Sequence, residues 1–369
     1  MKNYGLGSVH DFVGDFIVYR ALVPADPRLP RPAGGAVPRK SEPAYGRAIA
    51  HLLQAARALD RPEVRLGRLL YVGDTRLNDG TAFANICGAG GWPGAAFIGA
   101  EDAGAPPRVE VAPGPGGPLY LANRWAALAG FEDFCREQGL PIDEVTAVVV
   151  DLDKTALGAR GRNDHVIDGV RVEAVRRTVG GLLGDAWDPE AFRQAYDLFN
   201  RPEFHPFTAD NQDYLAYVCL ILGSGLYAPE QLAARVRAGD LDDFAQFIAE
   251  VDERALQLSV DLRAIHARIY TRVQQGDPTP FKAFRRKEYR ATVERMGCLD
   301  DDALAANELL AGEIVVTHEV RAAALTWKAR GALLFGLSDK PDEASVPPAE
   351  LVGQGYAPIH RTQTHVVGA

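Results

Sequence analysis

VTAVVVDLDKT, residues 145–155, begins as a nearly continuous β-branched run and breaks on two aspartates. A run of this kind reads as a central parallel strand covered on both faces. Asp151 and Asp153 lie two apart, and on an extended chain such residues point to the same side, so both carboxylates would face one space. In a parallel α/β sheet that space, beyond the carboxyl ends of the strands, is where ligands bind. Two carboxylates close together repel unless a cation or a shared proton relieves them, and hard oxygen donors suit Mg²⁺. An Asx-type turn capping the next helix accounts for the same residues equally well.

Two further junctions have the same form. LLYVGDTRLNDG (69–80) sets Asp74 directly after an apolar string and Asp79 five residues on, offering further metal ligands. A hairpin turn at Asn78-Asp79-Gly80 is the competing explanation for Asp79, but it leaves Asp74 unexplained. ALLFGLSDKP (332–341) puts the Ser338 hydroxyl at a strand end, where it could bond a phosphoryl oxygen or simply sit in a turn. Around these junctions, apolar residues at helical spacing mark a helix over 44–59, and Ala95–Ile98 reads as another strand. The Pro24-to-Pro38 stretch reads as loop, the proline-glycine run 113–118 as a linker, and Trp125 to Gly139 as a helix ending at its glycine. From Val170 to Arg330 the pattern turns helical, with one apolar stripe running from Phe244 through Val251, Leu258 and Leu262 to Val273.

Composition narrows the class. The 369 residues suit two to three domains, and 47% hydrophobic with 24% charged residues is globular rather than disordered. A net charge of −9 supplies no basic field for a phosphate backbone, so nucleic acid is disfavoured as a partner. Cys87, Cys135, Cys219 and Cys298 form no CxxC pair and read as buried thiols in a reducing compartment. The N-terminal residues lack an apolar signal core, and no stretch approaches the ~20 apolar residues of a membrane span, so the expectation is a cytoplasmic protein without membrane contact.

Together, DLDKT (151–155), LLFGLS (333–338) and YVGDTRLND (71–79) resemble the motifs of the haloacid dehalogenase superfamily of aspartyl phosphotransferases. The likeness spans about half the chain, with one departure: the GD segment precedes the DxD segment, so the chain looks circularly permuted. The resemblance implies an α/β fold with a Rossmann-like parallel sheet core and an inserted all-α cap. The corresponding division is an N-terminal core part (1–112, holding the Lys and GD motifs), a linker and helix (113–144), and a core strand with the catalytic loop (145–158). A helical cap (159–330) and a C-terminal core part (331–369) complete it. The family's lysine would be Lys40, in RKSEPAYGRAIAHLL (39–53), with Arg39 and Lys340 as rivals because Ser41 and Glu42 intervene before Pro43.

The implied chemistry has Asp151 as nucleophile and Asp153 as the acid that protonates the leaving oxygen and then activates water. Mg²⁺ would be held by Asp151, the Asp153 backbone carbonyl and Asp74, with Asp79 orienting a water, while Ser338 and Lys40 neutralise phosphoryl oxygens. Halide-removing members lack the second aspartate, so dehalogenation is not expected. The expected activity is a Mg²⁺-dependent phosphatase on a small phosphorylated metabolite. A phosphotransferase or mutase on the same residues, or a non-catalytic binding module, are the alternatives. Arg160, Arg162, Asn163, Asp164 and His165 follow the catalytic loop and either meet substrate or form a solvated hinge. The run Phe284–Arg290 reads as a solvated basic face or a phosphate contact, and His205 and His266 as packing or capping residues.

Overall fold

The computed structural model describes residues 4–31, 37–300 and 304–368. Residues 32–36 of the Pro24-to-Pro38 stretch lie outside the described residues. The strands are β1 (Leu6–Gly7), β2 (Ile17–Val18), β3 (Arg68–Gly73), β4 (Gly94–Gly99), β5 (Val109–Ala112), β6 (Leu119–Ala122), β7 (Thr146–Asp151), β8 (Val316–Thr317), β9 (Leu333–Leu337) and β10 (Thr364–Val367). Seven of them form one sheet in the order β2-β9-β7-β3-β4-β6-β5, parallel throughout except for β5 at its edge. The protein is thus a mixed α/β chain on a mostly parallel sheet. Among the described residues, no helix is long and apolar enough to cross a membrane.

The β-branched run behaves as its composition requires. Every residue of β7 is buried, and β7 lies between β3 and β9 at the middle of the sheet. Register pairs Val150 with Val72 on one side and Asp151 with Leu337 on the other. The three apolar strings that precede Asp74, Asp151 and Ser338 therefore end side by side at one rim. A helix over Pro43–Asp60 covers this core with Ile49, Leu52, Leu53 and Ala56, the apolar stripe that its spacing foretold, and with Tyr45 besides. Proline at its first turn costs the helix nothing, since that N–H has no helical partner in any case. Burying each large side chain in such a core contributes about 1.5–3 kcal/mol.

Several expectations change. The run 113–118 is no interdomain linker: it joins β5 to β6, which pair antiparallel in the same sheet. Proline and glycine satisfy a tight chain reversal as readily as a linker, and sequence alone does not separate the two. The Phe244–Val273 stripe is two helices, Phe244–Glu253 and Val260–Gln274, because Ser259 caps the second by accepting from the Leu262 amide. Asn78-Asp79-Gly80 is not a hairpin turn but the start of the helix Asn78–Gly90. Cys298 is exposed, whereas Cys87, Cys135 and Cys219 are buried; all four are free thiols.

The chain divides into two compact units, 1–169 with 292–369, and 170–291. Residues 159–169 and 292–330, expected in the helical block, thus belong to the sheet unit. The second unit is all helix around a core that includes Phe199, Tyr217, Leu220 and Phe247. The basic run 284–290 is neither fully solvated nor free here: Arg285 is buried and bonds Asp213 (2.7 Å) and Glu288 (2.6 Å). His266 is buried between Tyr217 and Asp252, a packing role, and His205 lies 3.3 Å from the Asn200 carbonyl. In the sheet unit, β1 pairs antiparallel with β10, which brings Leu6 opposite His365.

Candidate active site

Asp151 ends β7 and is buried. Its Oδ1 accepts from Lys40 Nζ at 2.6 Å, and the same ammonium donates to Asp79 Oδ1 at 2.9 Å. Lys40 is itself buried just ahead of the Pro43–Asp60 helix, and Asn85 Nδ2 fixes its carbonyl at 3.0 Å. Of the three candidate bases, Lys40 holds this position. Arg39 is exposed, and Lys340 is buried beyond β9.

The GD segment is a closed loop organised by Asp79. Asp79 Oδ2 accepts from the amides of Asp74 (3.1 Å) and Thr75 (2.9 Å) and from the Thr75 hydroxyl (2.8 Å). Its Oδ1 takes Lys40 and the Tyr71 phenol (3.0 Å). Glycine at 73 is required by this closure, because a Cβ there would lie 2.7 Å from Asp79 Cγ. Both Asp79 oxygens are thus engaged, and the side chain positions Lys40 and the 74–75 backbone. Burial raises its carboxyl, but Lys40 and the Thr75 donors outweigh that and hold it down at about 2.

Asp74 has the opposite balance. Burial and the charge of Asp79 push its carboxyl up to about 7, against the pull of Arg160, whose guanidinium lies 2.6 Å away. Asp151 is raised well above the carboxylate range by burial and by Asp79 and Asp74, with Lys40 opposing. One carboxylate oxygen from each of Asp74, Asp79 and Asp151 falls within 4.8 Å of the others. The donor set is all hard oxygen, and burial with mutual repulsion raises two of its carboxyls; such a cluster can hold a metal ion.

Asp153 stands apart from that cluster. β7 ends at Asp151 and the chain turns at Leu152, so the alternation of an extended strand does not carry through to Asp153. Its side chain is half-buried, and its backbone bridges Leu157. Ser338 follows β9, buried, with its Oγ accepting from the Lys340 amide at 3.0 Å and its O–H left to donate. Among the described residues, the buried hydroxyls without a hydrogen-bond partner are Tyr45 Oη, Thr155 Oγ1 and Thr292 Oγ1. Burial, with the charges of Asp339, Asp151 and Asp79, pushes the Tyr45 phenol up, and Lys40 opposes them.

The loop after the DxD segment has mixed roles. Arg162 is half-buried and bridges Glu101 (3.0 Å) and Glu319 (3.0 Å), Asn163 is buried against the backbone of Glu313 (2.8 Å), and of these residues only Arg160 reaches the acidic cluster. Sequence reasoning missed Tyr71 and Thr75. A tyrosine inside an otherwise aliphatic strand was the available signal, since a buried phenol needs a polar partner. No protein-family model matches the chain, and no curated protein or solved structure matches it.

Proposed function

We propose that this protein is a Mg²⁺-dependent phosphatase acting on a small phosphorylated metabolite through an aspartyl phosphate on Asp151, built on a circularly permuted core of the haloacid dehalogenase type. The observation that carries this reading is a buried carboxylate at the carboxyl end of the central strand, held by a buried lysine at 2.6 Å and grouped with two further aspartates. The permuted order rests on β3, β7 and β9 lying side by side in one sheet although the GD segment precedes the DxD segment along the chain. Reading unit 170–291 as the cap rests on its place in the sequence, between the DxD and Ser segments. A cytoplasmic setting belongs to the same proposal and is supported by the four free thiols.

Asp151 would attack phosphorus as the bond to the leaving oxygen breaks, and Asp153 would deliver a proton to that oxygen. Half-exposure suits Asp153 to the second half of the cycle, in which it takes a proton from the water that cleaves the aspartyl phosphate. Lys40 and the Ser338 O–H would bond the non-bridging oxygens as charge builds on them. Asp79 acts by holding Lys40 and the Asp74 amide in place. Mg²⁺, held by Asp74 and Asp151, would supply the charge that offsets the crowded carboxylates and the phosphoryl group.

The test is phosphate release from a panel of phosphorylated metabolites and an aryl phosphate, in Mg²⁺ and in chelator, for wild type and Asp151→Asn. Wild type should release phosphate only with the metal, and acid quenching should trap label on the protein. Asp151→Asn should lose at least about 10³-fold in turnover with the melting temperature retained. Full activity in Asp151→Asn or in chelator, or no phosphate release from any compound, overturns the reading in favour of a binding module.

A further inference from the structure

Arg160 and Arg162 are two residues apart and chemically identical, yet the fold treats them differently. Arg162 is locked, 7% exposed, between Glu101 and Glu319. Arg160 has a fixed backbone and an open side chain. Its carbonyl accepts from the Glu101 amide (2.8 Å) and the Trp125 indole (3.1 Å), and its amide donates to the Lys154 carbonyl (2.7 Å). Gly161 holds the left-handed conformation (φ 74°) against the Glu101 carbonyl, 2.0 Å from where a Cβ would stand. The side chain that this frame projects is 40% exposed, and its guanidinium sits 2.6 Å from Oδ2 of Asp74, whose side chain is 8% exposed.

We infer that Arg160 is an exchangeable countercharge: it neutralises Asp74 until a divalent cation takes that carboxylate, and the released guanidinium then binds an anionic oxygen of the phosphorylated substrate. The inference rests on the phosphatase reading, because it uses the same aspartates as cation ligands. Guanidinium and cation are both positive, so they compete for one carboxylate. The planar fork freed by that competition matches a phosphoryl group in two parallel hydrogen bonds. With its backbone anchored and only its side chain reaching Asp74, Arg160 can exchange partners without moving the loop. Cation and phosphoryl group would then each favour binding of the other, as reciprocal linkage requires.

The experiment is calorimetric titration of Mg²⁺ into the full chain at pH 8 and low salt, with and without saturating inorganic phosphate, for wild type, Arg160→Gln and Asp74→Asn. Without phosphate, Arg160→Gln should bind Mg²⁺ about fivefold more tightly than wild type, since the competitor is gone. With phosphate, wild type should gain affinity and Arg160→Gln should gain little. Asp74→Asn should bind Mg²⁺ weakly in both conditions. Equal or weaker Mg²⁺ binding by Arg160→Gln, beside a wild type that binds and an Asp74→Asn that does not, overturns the exchange and leaves the phosphatase reading standing. A wild type that binds no Mg²⁺ under either condition overturns both.

Discussion

Replacing Lys40 with methionine is the sharpest test of how the site is held together, because it keeps the packing of the stem and deletes only the charge. Asp79 and Asp151 would each lose a buried donor, at 2.9 and 2.6 Å. Removing one partner of a buried ion pair costs about 3–5 kcal/mol, since the remaining charge stays desolvated. A second route gives a similar figure. Asp79 is held at about 2, below the ordinary aspartate value of 3.8, with burial opposing and Lys40 the largest cause in favour. That shift is worth on the order of 2–3 kcal/mol above pH 4. Asp151, already raised, can take up a proton and so limits the total. The expected loss is about 3 kcal/mol at pH 8 in chelator, or roughly 6–12 °C in melting temperature for a unit of this size.

The assay is scanning calorimetry of Lys40→Met, Asp79→Asn and the double variant. The two single losses should not add, because both break the same bond, and the double variant should be milder than their sum by at least about 1 kcal/mol. Lowering the pH to 5 should shrink the Lys40→Met penalty, as protonation removes the charge left unpaired. An unchanged melting temperature for Lys40→Met in chelator, or strict additivity in the double variant, refutes the account of Lys40 as the ion that holds the two carboxylates.

Two other outcomes follow from the same geometry. His360 is buried, bonded to Tyr19 (2.8 Å) and Asp15 (3.2 Å), and burial pushes it down to about 4 from 6.5, against the pull of Asp15. The unfolded chain therefore binds the extra proton between those values, and stability should fall as pH drops from 6.5 to 4, by about 3 kcal/mol in all; a pH series of urea midpoints should show a shallower slope in this window for His360→Gln. Gly73→Ala should cost about 1–3 kcal/mol by driving a Cβ into Asp79, whereas Gly67→Ala, whose Cβ would meet Val145 only at 3.8 Å, should be near neutral; equal urea midpoints for the two would refute the packing claim.

The sheet and the three strand-to-polar junctions were legible because they are local. A β-branched run, an amphipathic helix and an abrupt aspartate are set by residues within about ten positions of each other, and their meaning survives in any compact α/β chain. On those signals Asp151, Asp74 and Ser338 could be placed at strand ends before any coordinates. Tertiary structure decided what distance along the chain conceals. That Lys40 rather than Arg39 or Lys340 bridges Asp79 and Asp151 depends on how the Pro43–Asp60 helix lies on the sheet, 111 residues from its partner. Arg160 meets Asp74 across 86 residues, and no periodicity in either segment encodes that meeting. The turn at Leu152, directly after β7, ended the strand alternation that would have put Asp153 beside Asp151. Side-chain partners of this kind are chosen by packing, in which a few ångströms decide which charge neutralises which, and a one-dimensional pattern carries no such distance.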